Sequence, residues 1–171
     1  RLPVIMVLAL VAFGCAGDSQ LVRKKAEATR NLGEAFLAQG DYPAALRELQ
    51  KAEQMLPQDP YVQNDLGLVY LAHGHHETAI AHFQRALSLR PDFADARNNL
   101  GKVYLDLKQW DRAIVEFEKI TQDLLYGSPH FPLTNLGVAY FHKGDLDAAE
   151  RYYRQALETA PGFFIAQRGL G

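Results

Sequence analysis

The stretch "NLGEAF" (Asn31–Phe36) is written four times along this chain with small changes. It returns as "DLGLVY" (Asp65–Tyr70), "NLGKVY" (Asn99–Tyr104) and "NLGVAY" (Asn135–Tyr140), and the glycines of successive copies are 34, 34 and 36 residues apart. A fixed period of this size predicts stacked repeats, in which each unit buries its apolar face against its neighbours.

Each period contains the signals of two helices separated by a turn. In the second copy, Leu66, Val69 and Tyr70 recur at three- and four-residue spacing, which predicts one apolar stripe of a helix. Gly74 is placed to end that helix, and a second apolar stripe then continues until Pro91 stops it. We therefore predict an all-α fold built from helical hairpins.

Small residues at fixed offsets complete the pattern. An alanine follows each glycine of the repeated stretch by twelve residues, and a proline closes three of the four periods; these are Ala45, Ala79, Ala113 and Ala149, with Pro57, Pro91 and Pro161. This pattern resembles the tetratricopeptide repeat (TPR) family. The resemblance implies an α-solenoid of about four hairpins, a right-handed superhelix with a concave groove. Its expected repeats are residues 26–59, 60–93, 94–129 (with a two-residue insertion) and 130–163, and residues 164–171 begin a fifth first-helix or a capping helix.

The groove residues follow from the same resemblance, because the first helix of each TPR hairpin lines the concave side. The polar residue that opens each repeated stretch is expected to face the groove, where a side-chain amide offers both a donor and an acceptor to an extended peptide backbone. The alternative is that these amides bond to a neighbouring helix. The expected peptide-binding residues are Arg30, Asn31, Tyr61, Asn64, Asp65, Leu68, Asn98, Asn99, Lys102, Phe131, Asn135 and Phe141.

The N-terminal segment has a different character. "LPVIMVLALVAFG" is a run of about 13 apolar or small residues, too short for a spanning helix of roughly 20 but suited to a secretory signal. The run leads to Cys15, and "VAFGC" resembles a bacterial lipobox. That resemblance implies a signal peptide at 1–14, a lipid-bearing Cys15 with a short tether at 15–25, and attachment to the periplasmic face of the outer membrane. The alternatives are an ordinary signal peptide with a stray cysteine, or a cysteine buried in the first helix.

Composition and motifs exclude several classes of function. The net charge is −2, so charge gives no case for nucleic-acid binding. His73, His75 and His76 lie in a predicted turn without cysteines or paired carboxylates beside them, so we predict a solvated turn and no metal site. No nucleophile elbow, phosphate-binding loop or acid–base pair is present, and we expect neither catalysis nor a cofactor.

The insertion in the third repeat narrows the resemblance. Together with the lipobox, "LLYGSPHFPLTNLG" resembles TPR lipoproteins of type IV pilus biogenesis, the pilotin-like group, which implies a protein or peptide partner such as a pilus secretin subunit. Two alternatives remain open. One is a periplasmic scaffold that recruits cell-wall hydrolases or proteases, and the other is the TPR portion of a larger enzyme such as a glycosyltransferase.

Overall fold

The computed structural model describes the backbone of residues 3–122 and 126–171 and the side chains of residues 19–122 and 126–171. The described residues form nine α-helices: α1 (Pro3–Ala38), α2 (Tyr42–Met55), α3 (Pro60–Ala72), α4 (His76–Leu89), α5 (Ala94–Asp106), α6 (Trp110–Thr121), α7 (His130–Lys143), α8 (Leu146–Thr159) and α9 (Phe164–Gly169). The all-α solenoid expected from the sequence is confirmed.

Helices pair in chain order. Helix α1 packs on α2, α3 on α4, α5 on α6 and α7 on α8, while α9 packs on α7 and α8 as the first helix of a fifth unit would. The first helices also contact one another across the repeats, α1 with α3, α3 with α5, and α5 with α7. These four first helices therefore lie side by side and form one continuous surface.

The repeated glycine has a packing role. A Cβ atom added at Gly67 would lie 2.6 Å from Cε1 of the Phe83 ring, and one at Gly101 would lie 2.6 Å from Cε1 of Phe117. Because real Cβ atoms do not approach other atoms so closely, only glycine allows the second helix of each hairpin to lay a bulky side chain across the first. The same relation joins Gly33 to Leu49 and Gly137 to Tyr153.

The alanines that follow the glycines by twelve residues lie in the core. Ala45, Ala79 and Ala113 have no exposed surface, and Ala149 is buried too. Such small side chains let paired helix axes approach to about 8–10 Å.

The turns inside the hairpins use left-handed backbone. Gly40, Gly74 and Gly144 have φ values of 76°, 74° and 88°, as the sequence predicted for Gly74. At the equivalent place in the third repeat stands Lys108, with φ 57°. A non-glycine residue in this region costs roughly 1–2 kcal/mol, so the third turn is the strained member of the set.

The segment expected to be a tether is helical in the structure. Residues 15–25 belong to α1, which continues without a break into the first repeat. The physical reason is that no proline follows Pro3 in this segment and no residue after Gly17 disfavours a helix strongly. Within the part of the chain that the structure describes, no helix is both long and apolar enough to cross a membrane.

The inserted residues of the third repeat lengthen its link to the fourth. Helix α6 ends at Thr121 and α7 begins at His130, whereas α4 ends at Leu89 and α5 begins already at Ala94. Leu124 and Leu125, singled out in the sequence, lie outside the described residues. Their neighbour Tyr126 is half-buried and packs against the core formed by α4 to α7.

Candidate functional site

The candidate site is the surface formed by the first helices, which in a TPR solenoid is the concave face. We number its positions within each repeat from the first residue of the repeat. Position 5 is the residue just before the repeated stretch, and position 6 is the first residue of that stretch. Position 2 is Glu27, Tyr61, Asp95 or Phe131. The exposed members of the predicted set are Asn31, Tyr61, Lys102, Phe131 and Phe141, and the half-buried ones are Arg30, Leu68, Asn98, Asn99 and Asn135.

Two predicted peptide contacts are wrong. Asn64 is 7 % exposed and Asp65 is 6 % exposed, so neither side chain is available to a peptide on the surface. They are covered because position 5 of one repeat meets position 6 of the next. Asp65 is therefore enclosed by the first repeat and Asn64 by the third.

The asparagines bond to one another from repeat to repeat. The Asn99 amide Nδ2 donates to Asn64 Oδ1 at 3.0 Å, and the Asn135 amide Nδ2 donates to Asn98 Oδ1 at 3.2 Å. In both pairs, position 6 of one repeat donates to position 5 of the repeat before it. We call these two bonds the amide rungs. The alternative weighed from the sequence, bonding to a neighbouring helix, accounts for these amides.

At the first boundary an arginine and an aspartate take the place of an amide rung. Arg30 occupies position 5 and Asp65 position 6, and Arg30 Nε lies 3.8 Å from Asp65 Oδ2. Neither of these two atoms has a hydrogen-bond partner. The separation is too long for a hydrogen bond, and Arg30 Nε lies closer to Glu34 Oε1, at 3.4 Å.

The Asp65 carboxyl is held in its protonated form. Burial first, and then the charge and hydrogen bond of Glu34, raise the pKa of Asp65 to about 8, against smaller opposing effects of Asn64 and Arg30. A raised pKa beside an arginine is unusual, and the 3.8 Å separation explains why the guanidinium does not prevail.

Tyr61 is held between cations at the N-terminal end of the face. The guanidinium carbons of Arg30 and Arg90 lie 5.1 and 5.6 Å from the centre of its ring. Arg90 Nη1 donates to the Tyr61 hydroxyl, and the edge of Phe93 packs at 5.0 Å between ring centres. The ring is thus fixed in place while 41 % of the residue stays exposed.

The C-terminal end of the face is apolar. Phe131 and Phe141 are 44 % and 53 % exposed. A cleft of about 480 Å³ lies beside Phe141, lined also by Val138 from α7, Tyr153 from α8 and Ile165 from α9. Cavities of this size are typical of sites that hold a few side chains or a small ligand.

The histidine cluster and the cysteine complete the predicted set. In the described part of the chain, no group of three His, Cys, Asp or Glu residues is arranged to hold a metal ion. His73 instead makes ring contacts with Tyr42 and His75 at 5.5 and 6.3 Å between centres. The side chain of Cys15 lies outside the described side chains, so its lipidation stays a prediction.

Sequence reasoning missed two features of the site. One is the set of amide rungs, for which the signal was present: complementary polar residues stand at position 5 of one repeat and position 6 of the next at all three boundaries. The other is the contribution of α9 to the cleft through Ile165, which lies at position 2 of the fifth unit. That signal was available by extending the same numbering past the fourth repeat.

Stacked helical hairpins with exposed aromatic rings on one continuous face define an α-solenoid of the protein-interaction class. Tetratricopeptide repeat models match residues 33–74, 64–124 and 132–163, which together include most of the chain. The chain belongs to the TPR family, whose domains bind protein or peptide partners. Among curated proteins, none matches this chain in sequence.

Solved structures share the fold. The structure described as the functional characterization of Pseudomonas aeruginosa pilF superposes with a TM-score of 0.84 at 21 % identity, covering 87 % of this chain and 67 % of that one. PilW, described as a widely conserved type IV pilus biogenesis factor, gives 0.79 at 24 % identity, with 82 % and 64 % covered. YrrB, described as a TPR protein with an unusual peptide-binding site, gives 0.72 at 22 % identity, with 84 % and 73 % covered. The chain thus spans about two thirds of the first two proteins.

Proposed function

We propose that this chain is a non-catalytic interaction module that holds an extended segment of a partner protein along its concave face. The observation that carries the proposal is the exposure of three aromatic side chains, Tyr61, Phe131 and Phe141, on the face formed by the first helices. Large apolar groups repeated on one exposed concave surface are characteristic of binding sites, and aromatic side chains are the commonest anchors of protein interfaces.

The amide rungs leave capacity for a peptide backbone. A side-chain amide has two N–H donors and a carbonyl that accepts two hydrogen bonds. Asn99 and Asn135 each use one N–H in a rung and remain partly exposed. The second N–H and the carbonyl oxygen of each side chain can pair with the C=O and N–H groups of an extended segment. The asparagines therefore serve both the stacking of repeats and the binding of a backbone.

The finer proposal is that the partner is a pilus secretin subunit and that the chain works at the periplasmic face of the outer membrane through a lipid on Cys15. Three observations support it: the lipobox-like "VAFGC", the lengthened link between α6 and α7, and the shared fold with PilW, described as a pilus biogenesis factor. Several acyl chains on one cysteine anchor a protein stably, whereas a single chain holds it marginally.

Site-directed photo-crosslinking in cells tests both levels of the proposal. A benzophenone amino acid is placed at Phe131 on the concave face and, as the matched control, at Val115, which is similarly exposed on the second helix α6. We expect crosslinks from position 131 to a secretin subunit and none from position 115. Equal crosslinking from both positions refutes binding in the groove. If position 131 alone captures a protein other than a secretin subunit, the pilus partner is refuted but binding in the groove is not.

A further inference from the structure

Position 2 of the four repeats alternates in chemistry along the edge of the groove. Its occupants are in order an acid, an aromatic ring, an acid and an aromatic ring: Glu27, Tyr61, Asp95 and Phe131. Because the first helices lie side by side, these four side chains form a row across the solenoid. A row of alternating chemistry selects ligands by the order and spacing of their side chains.

The two aromatic members are set in the same way. The Tyr61 ring packs edge-to-face with Phe93 at 5.0 Å between centres, and Phe131 packs edge-to-face with Phe163 at 5.4 Å. In both cases the partner is the residue just before the next first helix. Rings held this way lose little freedom on binding, which favours them as anchors.

The acid between the two rings is free to bind a cation. Asp95 is exposed, and among the described residues no arginine, lysine or histidine forms an ion pair with it. Glu27 differs, because Arg23 Nε donates to it at 2.9 Å. Arg97, on the same helix as Asp95, is engaged by Glu116 at 2.8 Å.

The spacing expected for a row on packed helices fits one peptide conformation. Packed helix axes lie about 8–10 Å apart, and the rungs show that neighbouring first helices are in direct contact. A polyproline II helix advances about 9.3 Å per turn of three residues, at roughly 3.1 Å per residue. Its residues i, i+3 and i+6 therefore face the same side, about one packed-helix distance apart, which is the separation expected for side chains at one position of successive repeats. A β-strand would turn residue i+3 away, since its side chains alternate.

We propose that the ligand is a polyproline II segment with apolar side chains at i and i+6 and a lysine or arginine at i+3. This inference rests on the proposed function and specifies its ligand. The apolar side chains lie on Tyr61 and Phe131, and the basic one pairs with Asp95. Because a polyproline II segment has no internal hydrogen bonds, its carbonyl groups are free to accept from the asparagine amides.

Fluorescence anisotropy with labelled synthetic peptides tests the proposal. The reference peptide is Leu-Pro-Pro-Lys-Pro-Pro-Leu. One comparison peptide has glutamate in place of lysine, and a second has one extra proline on each side of the lysine. We expect each comparison peptide to bind about three- to tenfold more weakly than the reference, as exposed charge pairs and single anchors allow. Equal binding of all three overturns the proposal.

A charge exchange on the protein assigns the basic residue to Asp95. Asp95→Lys should weaken binding of the reference peptide and strengthen binding of the glutamate peptide. Asp147→Lys, which makes the same exchange at an exposed acid in the first turn of the second helix α8, should leave their order unchanged. Melting curves establish that both variants fold. If no peptide binds but crosslinking from position 131 still captures a partner, the polyproline II ligand is refuted and binding in the groove is not. If no peptide binds and no partner is captured, both the ligand and the groove function are refuted.

Discussion

The side chain of Asn99 donates to that of Asn64 across the boundary between the second and third repeats, at 3.0 Å. The bond is partly shielded from water, because Asn64 is buried and Asn99 is half-buried. It joins two residues that are 35 positions apart in sequence. A repeat protein is stabilised by such contacts between neighbouring units as well as by the units themselves.

Removing this rung should weaken the coupling of the repeats. We expect Asn99→Ala to lower the free energy of unfolding by about 1–2 kcal/mol, because it leaves the buried Asn64 carbonyl without its donor. Asn31→Ala is the matched control, since Asn31 is at the same position but exposed, and its side-chain oxygen accepts from the adjacent Arg30 and not across a repeat boundary. Urea titrations measure both. A loss for Asn31→Ala equal to that for Asn99→Ala would show that the rung contributes nothing of its own.

Asp65→Asn should stabilise the protein at high pH. The folded chain keeps the Asp65 proton up to about pH 8, whereas the unfolded chain releases it near the ordinary pKa of 3.8. Folding therefore takes up a proton between these values, and stability falls as pH rises through this window. Asparagine cannot ionise, and it occupies the same position in the other three repeats.

We expect the free energy of unfolding of Asp65→Asn to exceed that of wild type by about 1–3 kcal/mol at pH 8, which is the cost of a poorly paired buried polar group. At pH 5 the difference should be much smaller. Urea titrations at the two pH values measure the difference. Asp106→Asn, which replaces an exposed carboxylate on α5, is the control and should differ little from wild type at either pH. A pH-independent effect of Asp65→Asn would contradict the assigned protonation.

Gly67→Ala tests the packing of the hairpins. The new methyl group would lie 2.6 Å from the fully buried Phe83 ring. Overpacking of this kind costs about 1–3 kcal/mol, which outweighs the gain of roughly 1 kcal/mol in helix propensity. Gly162→Ala, whose methyl group would meet nothing within 4 Å, is the control. Thermal melts in which Gly67→Ala equals or exceeds wild type would refute the close-approach explanation.

Much of the fold was predictable because its signals are local. The helix stripe through Leu66 and Val69 and the left-handed turn at Gly74 depend on residues close in sequence, and the structure confirms them. Bonding of the asparagines to a neighbouring helix was one alternative from the sequence, but the partner of each was not predicted, because it depends on how helices 35 or more residues apart are aligned. Burial of Asp65 follows from that same alignment. Polarity at a groove position therefore does not by itself indicate that a side chain is available to a ligand.

Cys15→Ser tests the anchor. If Cys15 carries the acyl chains, the serine variant should keep its helical spectrum and melting temperature but move from the membrane to the soluble periplasmic fraction, because the chains supply the membrane affinity. Metabolic labelling with a radioactive fatty acid and fractionation measure the two effects. Unchanged membrane association of the unlabelled variant would exclude a lipid at Cys15 as the anchor.

The groove prediction separates binding from stability. Phe131 and Phe141 are exposed by 44 % and 53 %, so truncating either to alanine removes apolar area that already contacts water. We expect each variant to unfold within about 0.5 kcal/mol of wild type, as is usual for surface substitutions. If the ring is an anchor, the free energy of partner binding should become less favourable by about 2 kcal/mol or more, and partner retention should fall accordingly. Val115→Ala on α6, which removes a comparably exposed side chain, should leave retention unchanged.

Retention on the immobilised chain and a urea titration for each variant provide the comparison. The two measurements must diverge for Phe131→Ala and Phe141→Ala, because a ring that binds a partner contributes to the complex and little to the free protein. Parallel losses of stability and retention would assign these rings to folding. Full retention by both variants would argue against the concave face as the binding surface, since both rings are large exposed apolar groups on it.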